Sequence, residues 1–145
     1  MAFALTAHTP ATGKNAMMRQ NISSGDPFEE VFGYSRAVRV GNHIHVSGTT
    51  AQAPFVEGCD TYLQAKNALD IIEDALLRAR SSLADVVRTV TYITDMGDAD
   101  LVARAHLEAF ADVRPASTLV QVAALDDPAR TVEIEVYAIC DDPER

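Results

Sequence analysis

The spacing of apolar residues changes repeatedly along this chain, and the order of those changes limits its fold more than any other feature. "YSRAVRVGNHIHVSG" (34–48) alternates on both sides of Gly41-Asn42, which is typical of a β-hairpin with a tight turn. From Asp60 to Arg80 the apolar residues recur at steps of three and four, which predicts a helix with one buried face. Asp60 or Thr61 can cap its first turn. A β-branched segment then predicts a strand from Val86 to Thr94.

The second half of the chain continues the alternation of helix and strand. A second helix is predicted to begin near Asp98 and to end before Pro115. Strands are predicted at about 117–124 and 131–139, on either side of the turn residues 126–128. The order β-β-α-β-α-β-β predicts an α+β fold, with a mixed sheet and both helices on one face. The other face is then open and partly apolar, and oligomerisation would cover it.

The length of 145 residues predicts one domain with one core. Residues 1–16 are rich in Ala and Thr, lack acidic residues and show no period, so we expect a flexible extension followed by a single domain over 17–145. "SSGDPFEE" (23–30) is predicted as a turn and 49–60 as a loop that can hold a short strand. No apolar run is long enough to span a bilayer and no secretory signal is evident, so we expect a cytoplasmic protein.

The net charge of −9 disfavours nucleic-acid binding and attachment to an anionic membrane surface. A small anionic ligand stays compatible with it, because one local arginine can outweigh the global field. Cys59 and Cys140 form no metal-spaced pair, and free thiols are favoured over a disulfide. His43 and His45 share a strand face, but no third ligand lies nearby in sequence. We therefore expect no metal site at this pair.

Two short segments carry candidate chemistry. Glu133 and Glu135 share a face of the last predicted strand. A buried glutamate with a raised pKa is a plausible general base, whereas periodicity alone favours a solvated strand face. "SGTTA" (47–51) can offer backbone N–H groups and hydroxyls to an anion, or it is an ordinary turn. The nucleotide-binding glycine motifs and Gly-x-Ser-x-Gly are absent from the sequence.

Four segments, in this order, carry a family resemblance: "YSRAVRVGNHIHVSG", "LADVVRTVTYITDM", "RPASTLVQVAAL" and "VEIEVYAI". Together they resemble the YjgF/RidA reactive-intermediate deaminase family, formerly named endoribonuclease L-PSP, over residues 33–139. The resemblance implies a chorismate-mutase-like α+β fold and a homotrimer with a barrel-like interior. It also implies three small-molecule clefts between subunits. Active members hydrolyse small enamines and imines, such as 2-aminoacrylate, without metal or organic cofactor.

The family site also implies roles for residues of this chain. In active members a glutamate on the last strand activates water, an arginine binds the substrate carboxylate, and a tyrosine and a serine complete the cleft. Tyr34, Ser47 and Glu133 match three of these positions, whereas Ser117 stands where the family arginine is expected. Whether Arg36, Arg114 or an arginine of a neighbouring subunit reaches the cleft stays open. The resemblance thus implies Glu133 as the catalytic residue and a ligand site formed by Tyr34, Ser47, Gly48, Ser117 and Thr118. Arg114 is a further candidate ligand residue, although it lies three positions before the place of the family arginine and should point elsewhere.

Two functions of different class are compatible with this pattern. The first is a small-molecule binding protein without standard 2-aminoacrylate deaminase activity. A serine hydroxyl cannot replace the charge-assisted hydrogen bonds of an arginine, each worth about 1.5–3 kcal/mol. The alternative is a hydrolase or deaminase for a different enamine or imine-like metabolite, with Glu133 activating water. Ribonuclease activity is a third and weaker option, which the charge of −9 disfavours.

Overall fold

Within residues 18–141, which the computed structural model describes, six strands form one mixed sheet. The strands are β1 (Arg19–Ile22), β2 (Ala37–Val40), β3 (His43–Thr50), β4 (Val86–Ile93), β5 (Ala116–Gln121) and β6 (Val132–Ile139). Their order across the sheet is β1-β2-β3-β6-β4-β5, and β4 and β5 are the parallel pair. The last strand therefore lies inside the sheet, between β3 and β4. The predicted α+β class and mixed sheet are confirmed.

The predicted hairpin forms β2 and β3. Val40 pairs with His43 across the turn, and Gly41 adopts a φ of 60°, a left-handed conformation that glycine takes without steric cost. β3 continues to Thr50, into the segment predicted as a loop, because the register shifts between Val46 and Thr49 and pairing with β6 then resumes. The irregularity is a β-bulge at the "SG" of "VSGT", a feature that often lies next to functional sites.

The α-helices of the described residues are α1 (Phe28–Phe32), α2 (Thr61–Arg78) and α3 (Ala99–Phe110). α2 and α3 cover one face of the sheet, whereas α1 is a short helix before β2 whose apolar side chains are exposed. α2 begins at the predicted cap, where Asp60 Oδ1 accepts a hydrogen bond from the Leu63 amide at 2.9 Å. Its apolar stripe packs on β3 and β6, and α3 packs beside α2. None of the helices in the described part of the chain is long and apolar enough to cross a membrane.

Two elements were not expected from the sequence. β1 pairs with β2 at the edge of the sheet, and α1 begins at Phe28, inside the segment predicted as a turn. The turn prediction for 23–30 is therefore wrong from Phe28 onward. The expected flexible extension over 1–16 lies outside the described residues. The boundaries of that extension and of the 17–145 domain stay predictions.

The alternation of β6 separates the core from the opposite sheet face. Val132, Ile134, Val136 and Ala138 are buried, whereas the residues between them are partly exposed. The side chains of the uncovered face on β3, β6 and β4 include His43, His45, Thr50, Arg88, Val90, Tyr92, Glu133, Glu135, Tyr137 and Ile139. The candidate general base therefore lies on the side of the sheet that the helices do not cover.

Candidate functional site

A cavity of about 1410 Å³ contains four of the predicted site residues, namely Tyr34, Ser47, Gly48 and Glu133. They come from three places in the chain: the segment before β2, the bulge of β3 and the start of β6. The antiparallel pairing of β3 with β6 brings Glu133 opposite Thr50, beside the bulge. The order of strands thus assembles this group from residues about a hundred positions apart.

Glu133 is half-buried, and no described residue donates a hydrogen bond to its carboxylate. Burial is the main reason that its pKa is raised above the ordinary value of 4.5, and the negative charges of Asp126 and Glu135 raise it further. The charges of Arg36 and Arg130 partly offset this increase. A carboxylate with a raised pKa and free lone pairs can accept a proton from a bound water, as a general base must.

Gly48 lies against the Glu133 carboxylate. A β-carbon at position 48 would be 2.8 Å from Glu133 Oε1 and 2.9 Å from its Cδ. Real β-carbons do not approach other heavy atoms so closely, so this position of the carboxylate requires glycine. The requirement is steric, because the Glu133 side chain occupies the space that any larger residue would need.

Arg36 occupies the same cavity and is 9% exposed. Its Nη1 donates to the Gly48 carbonyl at 2.9 Å and to Thr49 Oγ1 at 2.6 Å. Its Nη2 lies 3.4 Å from the Tyr34 hydroxyl, and the guanidinium carbon is 5.6 Å from the centre of that ring. Arg36 thus links the predicted tyrosine to the bulge that contacts Glu133. The sequence alone did not show whether Arg36 reaches the cleft, because its hydrogen-bond acceptors lie on β3.

Glu135 has a different environment from Glu133, although both lie on the same strand face. Tyr92 donates its hydroxyl hydrogen to Glu135 Oε1 at 2.7 Å. That hydrogen bond is the main reason that the pKa of Tyr92 is raised. Arg130 pairs with Asp126 at 2.8 Å beside them. Glu133 is therefore the carboxylate of this group that is available to a ligand or a water.

Arg114 and Ser117 lie in a second cavity of about 500 Å³, between α3 and β5. Thr89 donates its hydroxyl hydrogen to Ser117 Oγ at 3.0 Å, and Thr89 Oγ1 lies 2.8 Å from His106 Nε2. Burial lowers the pKa of His106. Much of the wall is apolar and is formed by Val102, Leu107, Phe110 and Leu119. At Ser117, where the resemblance places the family arginine, this cavity presents a neutral hydroxyl, and the exposed Arg114 side chain also lies at its wall, with Nε donating to the Ala111 carbonyl at 3.2 Å.

Thr118 points away from the second cavity, because side chains alternate along β5. Its hydroxyl accepts a hydrogen bond from Arg88 Nη2 at 3.2 Å. Within one chain the structure therefore brings together Tyr34, Ser47, Gly48 and Glu133. It places Arg114 and Ser117 in a different cavity, and Thr118 outside both.

The remaining candidate side chains form no further centre. His43 Nδ1 is hydrogen-bonded to the Tyr137 hydroxyl, and the His45 ring stacks on Tyr137 at 4.6 Å. Among residues 18–141 no group of three metal-ligating side chains lies close enough to hold an ion. Cys59 and Cys140 are free thiols.

Comparisons with known proteins agree on one family. The family model described as Endoribonuclease L-PSP matches residues 26–140. An uncharacterised protein of Streptomyces coelicolor is 38% identical over 122 residues, which is 82% of this chain and 90% of that protein. The human 2-iminobutanoate/2-iminopropanoate deaminase is 31% identical over 129 residues, which is 86% of this chain and 93% of the human protein. A Mycobacterium tuberculosis member of the YjgF/YER057c/UK114 family has a crystal structure with a TM-score of 0.80 and 44% identity, covering 85% of this chain and 100% of that chain.

Proposed function

Since this chain belongs to the YjgF/RidA family, which the Endoribonuclease L-PSP model describes, we propose that its Glu133 cavity hydrolyses an enamine or imine-like metabolite without a cofactor. The observation that supports this function is the half-buried Glu133 carboxylate, which has a raised pKa and no hydrogen-bond donor among the described residues. A purely structural glutamate on an interior strand would instead be paired or fully solvated.

The chemistry requires one proton carrier near the reacting carbon. Glu133 takes a proton from water as the water oxygen attacks the carbon of the C=N bond. The same carboxyl group then returns this proton to the nitrogen, which gives a carbinolamine. It next carries the proton of the carbinolamine hydroxyl to the nitrogen as the C–N bond breaks, so that ammonia leaves and a carbonyl compound forms. A raised pKa suits both steps, because the group must bind the proton and release it again. The Ser47 hydroxyl donates to the Ser35 carbonyl at 2.7 Å and can still accept a hydrogen bond from the ligand.

The substrate is proposed to differ from those of relatives that carry the arginine. Ser117 offers a neutral hydroxyl, and a missing charge-assisted hydrogen bond weakens binding about tenfold per 1.4 kcal/mol. We therefore expect weak hydrolysis of 2-aminoacrylate-type imines. The same observation favours a second candidate function, a small-molecule binding protein without turnover.

The cleft is proposed to lie between subunits of a homotrimer with a barrel-like interior. Two features support this assembly: the uncovered sheet face, and the separation of the predicted site residues into two cavities of one chain. Light scattering of the full chain at micromolar concentration should give the mass of three chains, and a stable monomer would contradict the proposal. The free thiols of Cys59 and Cys140 support a reducing compartment such as the cytoplasm.

The decisive experiment is a hydrolysis assay on imines generated in place by an amino-acid oxidase acting on a panel of amino acids. Loss of the imine is followed with a trapping reagent, and the human deaminase serves as the positive control. We expect turnover of at least one imine by the wild type, loss of that turnover in Glu133→Gln, and retention in Glu73→Gln on the exposed side of α2. If no imine is hydrolysed while metabolites bind in the cavity, the enzyme proposal is wrong and the binding function is favoured.

A further inference from the structure

Arg36 is a buried cation that forms no ion pair among the described residues, and its charge reaches the carboxylates of Glu29 and Glu133 only at longer range. Its side chain is 9% exposed, and none of the ion pairs within residues 18–141 includes it. Burying a charge is unfavourable unless another charge or several hydrogen bonds compensate for it. The protein supplies neutral acceptors from Gly48 and Thr49, so part of the compensation is still open to a ligand.

The hydrogen bonds of Arg36 use one edge of the guanidinium and leave the other available. Nη1 donates both of its hydrogens, to the Gly48 carbonyl and to Thr49 Oγ1. The edge formed by Nε and Nη2 makes one long contact of 3.4 Å, to the Tyr34 hydroxyl. Adjacent N–H groups of this kind match the two oxygens of a carboxylate in a bidentate pair. The chain therefore holds the guanidinium in place from one side and leaves a pair of donors on the other.

Gly48 connects this guanidinium to the candidate general base. Its carbonyl accepts from Arg36 Nη1, and its α-carbon lies so close to Glu133 that a β-carbon would be 2.8 Å from Oε1. Arg36 and Glu133 thus line the same cavity on either side of one residue, without forming an ion pair. A ligand that contacts both would have its anionic group near Arg36 and its reacting carbon near Glu133.

We propose that Arg36 is the anion anchor of this cavity and that its Nε–Nη2 edge binds the carboxylate of a small monocarboxylate ligand. The inference rests on the proposed function of the cavity and assigns its ligand class. It also gives the chain an anchor of its own, on the β2 side of Glu133, where Ser117 supplies none. A carboxylate bound by Arg36 approaches Glu133 from a different direction than a carboxylate bound by an arginine at position 117 would. This difference restricts which carboxylate ligands fit.

The surrounding charges make the anchor essential rather than supplementary. The chain carries a net charge of −9, so its overall field opposes an anionic ligand. Asp126 is paired with Arg130, and Glu135 accepts the Tyr92 hydroxyl, so the cation without a carboxylate partner among the described cavity residues is Arg36. Carboxylate affinity should therefore depend strongly on Arg36.

The test measures binding of propionate and of its neutral isostere propionamide to the full chain, by NMR titration, in the wild type and in Arg36→Gln. Propionate should lose about tenfold or more in affinity in Arg36→Gln, whereas propionamide should change little, because a single charge-assisted pair is removed. Arg36→Lys should keep part of the preference for propionate, since it keeps the charge without the paired donors. Arg104→Gln, at an exposed position of α3 outside the cavity, is the matched control and should change the propionate affinity by less than about threefold.

The outcomes separate a binding role from a structural one. Equal propionate binding by the wild type and Arg36→Gln would overturn the proposal, as would equal losses for propionate and propionamide. If Arg36→Gln does not fold, the ¹⁵Nε resonance of Arg36 in the wild type decides, because it should shift with propionate and stay unchanged with propionamide. Glu133→Gln should abolish imine hydrolysis and keep propionate binding. If hydrolysis depends on Glu133 but propionate binding does not depend on Arg36, the Arg36 proposal is wrong and the proposed hydrolytic function is still supported.

Discussion

Glu133 and Glu135 show how two like side chains on one strand face acquire different properties. The Tyr92 hydroxyl contacts Glu135 at 2.7 Å, whereas Glu133 lies in a half-buried position without a donor among the described residues. The sequence placed both on one face but could not distinguish them. The difference comes from Tyr92 on β4, a neighbour that only the strand order brings into contact.

The raised pKa of Glu133 predicts a loss of stability as the pH rises. Below the ordinary pKa of 4.5 the group is protonated in the folded and unfolded states, and it contributes no difference. As the pH rises from there through the raised pKa of the folded state, the unfolded chain ionises first and stability decreases. Glu133→Gln has no carboxyl group at this position and therefore lacks this decrease. Urea unfolding should show that the stability of the variant, relative to that of the wild type, increases as the pH rises from 4.5 through the raised pKa. A difference that is the same at every pH would contradict the prediction, and Glu73→Gln is the exposed control.

Gly48→Ala is predicted to disable the site without unfolding the protein. The added β-carbon would meet the Glu133 carboxylate at 2.8 Å, and that carboxylate is the movable end of a flexible side chain. We therefore expect imine hydrolysis to fall at least tenfold while the free energy of unfolding changes by about 1 kcal/mol. In a Glu133→Ala background the same substitution should cost less stability, because the clashing group is gone. Equal costs in both backgrounds would mean that Gly48 is needed for the bulge and not for the carboxylate.

Arg36 marks the limit of what the sequence reveals about single side chains. Tyr34, Ser47 and Glu133 were identified through the family resemblance, and the structure brings them into one cavity. The guanidinium of Arg36 joins them because its acceptors lie 12 and 13 positions further along the chain, on β3. The spacing of residues within the hairpin does not predict this contact, because the contact depends on the bulge that turns the Gly48 carbonyl toward Arg36.

The strands and helices that could be predicted are those in which apolar residues recur at a regular spacing. The hairpin, both long helices and the last strand begin and end within a few residues of their expected positions. β1 was missed because "RQNI" is short and does not alternate, and α1 because it has five residues beside Pro27 and Gly25. β1 depends on its pairing with β2, and α1 is held by local hydrogen bonds from Ser24 to the Glu29 side chain.

Gln64 ties α2 to the loop that precedes β6. Its Nε2 donates to the Ala129 carbonyl at 2.9 Å, and its Oε1 accepts from the Thr131 amide at 3.0 Å, at a side chain that is 1% exposed. Gln64→Leu would remove the hydrogen-bond partner of both of these partly buried backbone groups. We predict a loss of about 2–4 kcal/mol in the free energy of unfolding, measured with urea. Gln20→Leu, at an exposed position of β1, should change it by less than about 0.5 kcal/mol, and a similar value for Gln64→Leu would contradict the anchoring role.

The predicted site residues lie in two cavities of one chain, and this separation affects how subunits would assemble a complete site. Tyr34, Ser47 and Glu133 line one cavity, whereas Ser117 lines another on the helix side of β5. We therefore propose that a single chain does not present all of them to one small ligand. In a closed ring of identical subunits, one subunit can supply the first group of residues and its neighbour the second.

That arrangement predicts that two inactive variants restore activity when they assemble together. Glu133→Ala disables the first half of the cleft, and Leu119→Trp fills the second cavity from a partly exposed position on β5. In trimers refolded from an equal mixture, each half is intact in half of the subunits, so about a quarter of the clefts combine two intact halves. Hydrolysis, or ligand stoichiometry if there is no turnover, should therefore recover to about a quarter of the wild-type level.

Each variant refolded alone should stay inactive, and mixing without unfolding should restore nothing. If the refolded mixture stays at the level of the separate variants, or if Leu119→Trp alone keeps full activity, the cleft lies within one chain.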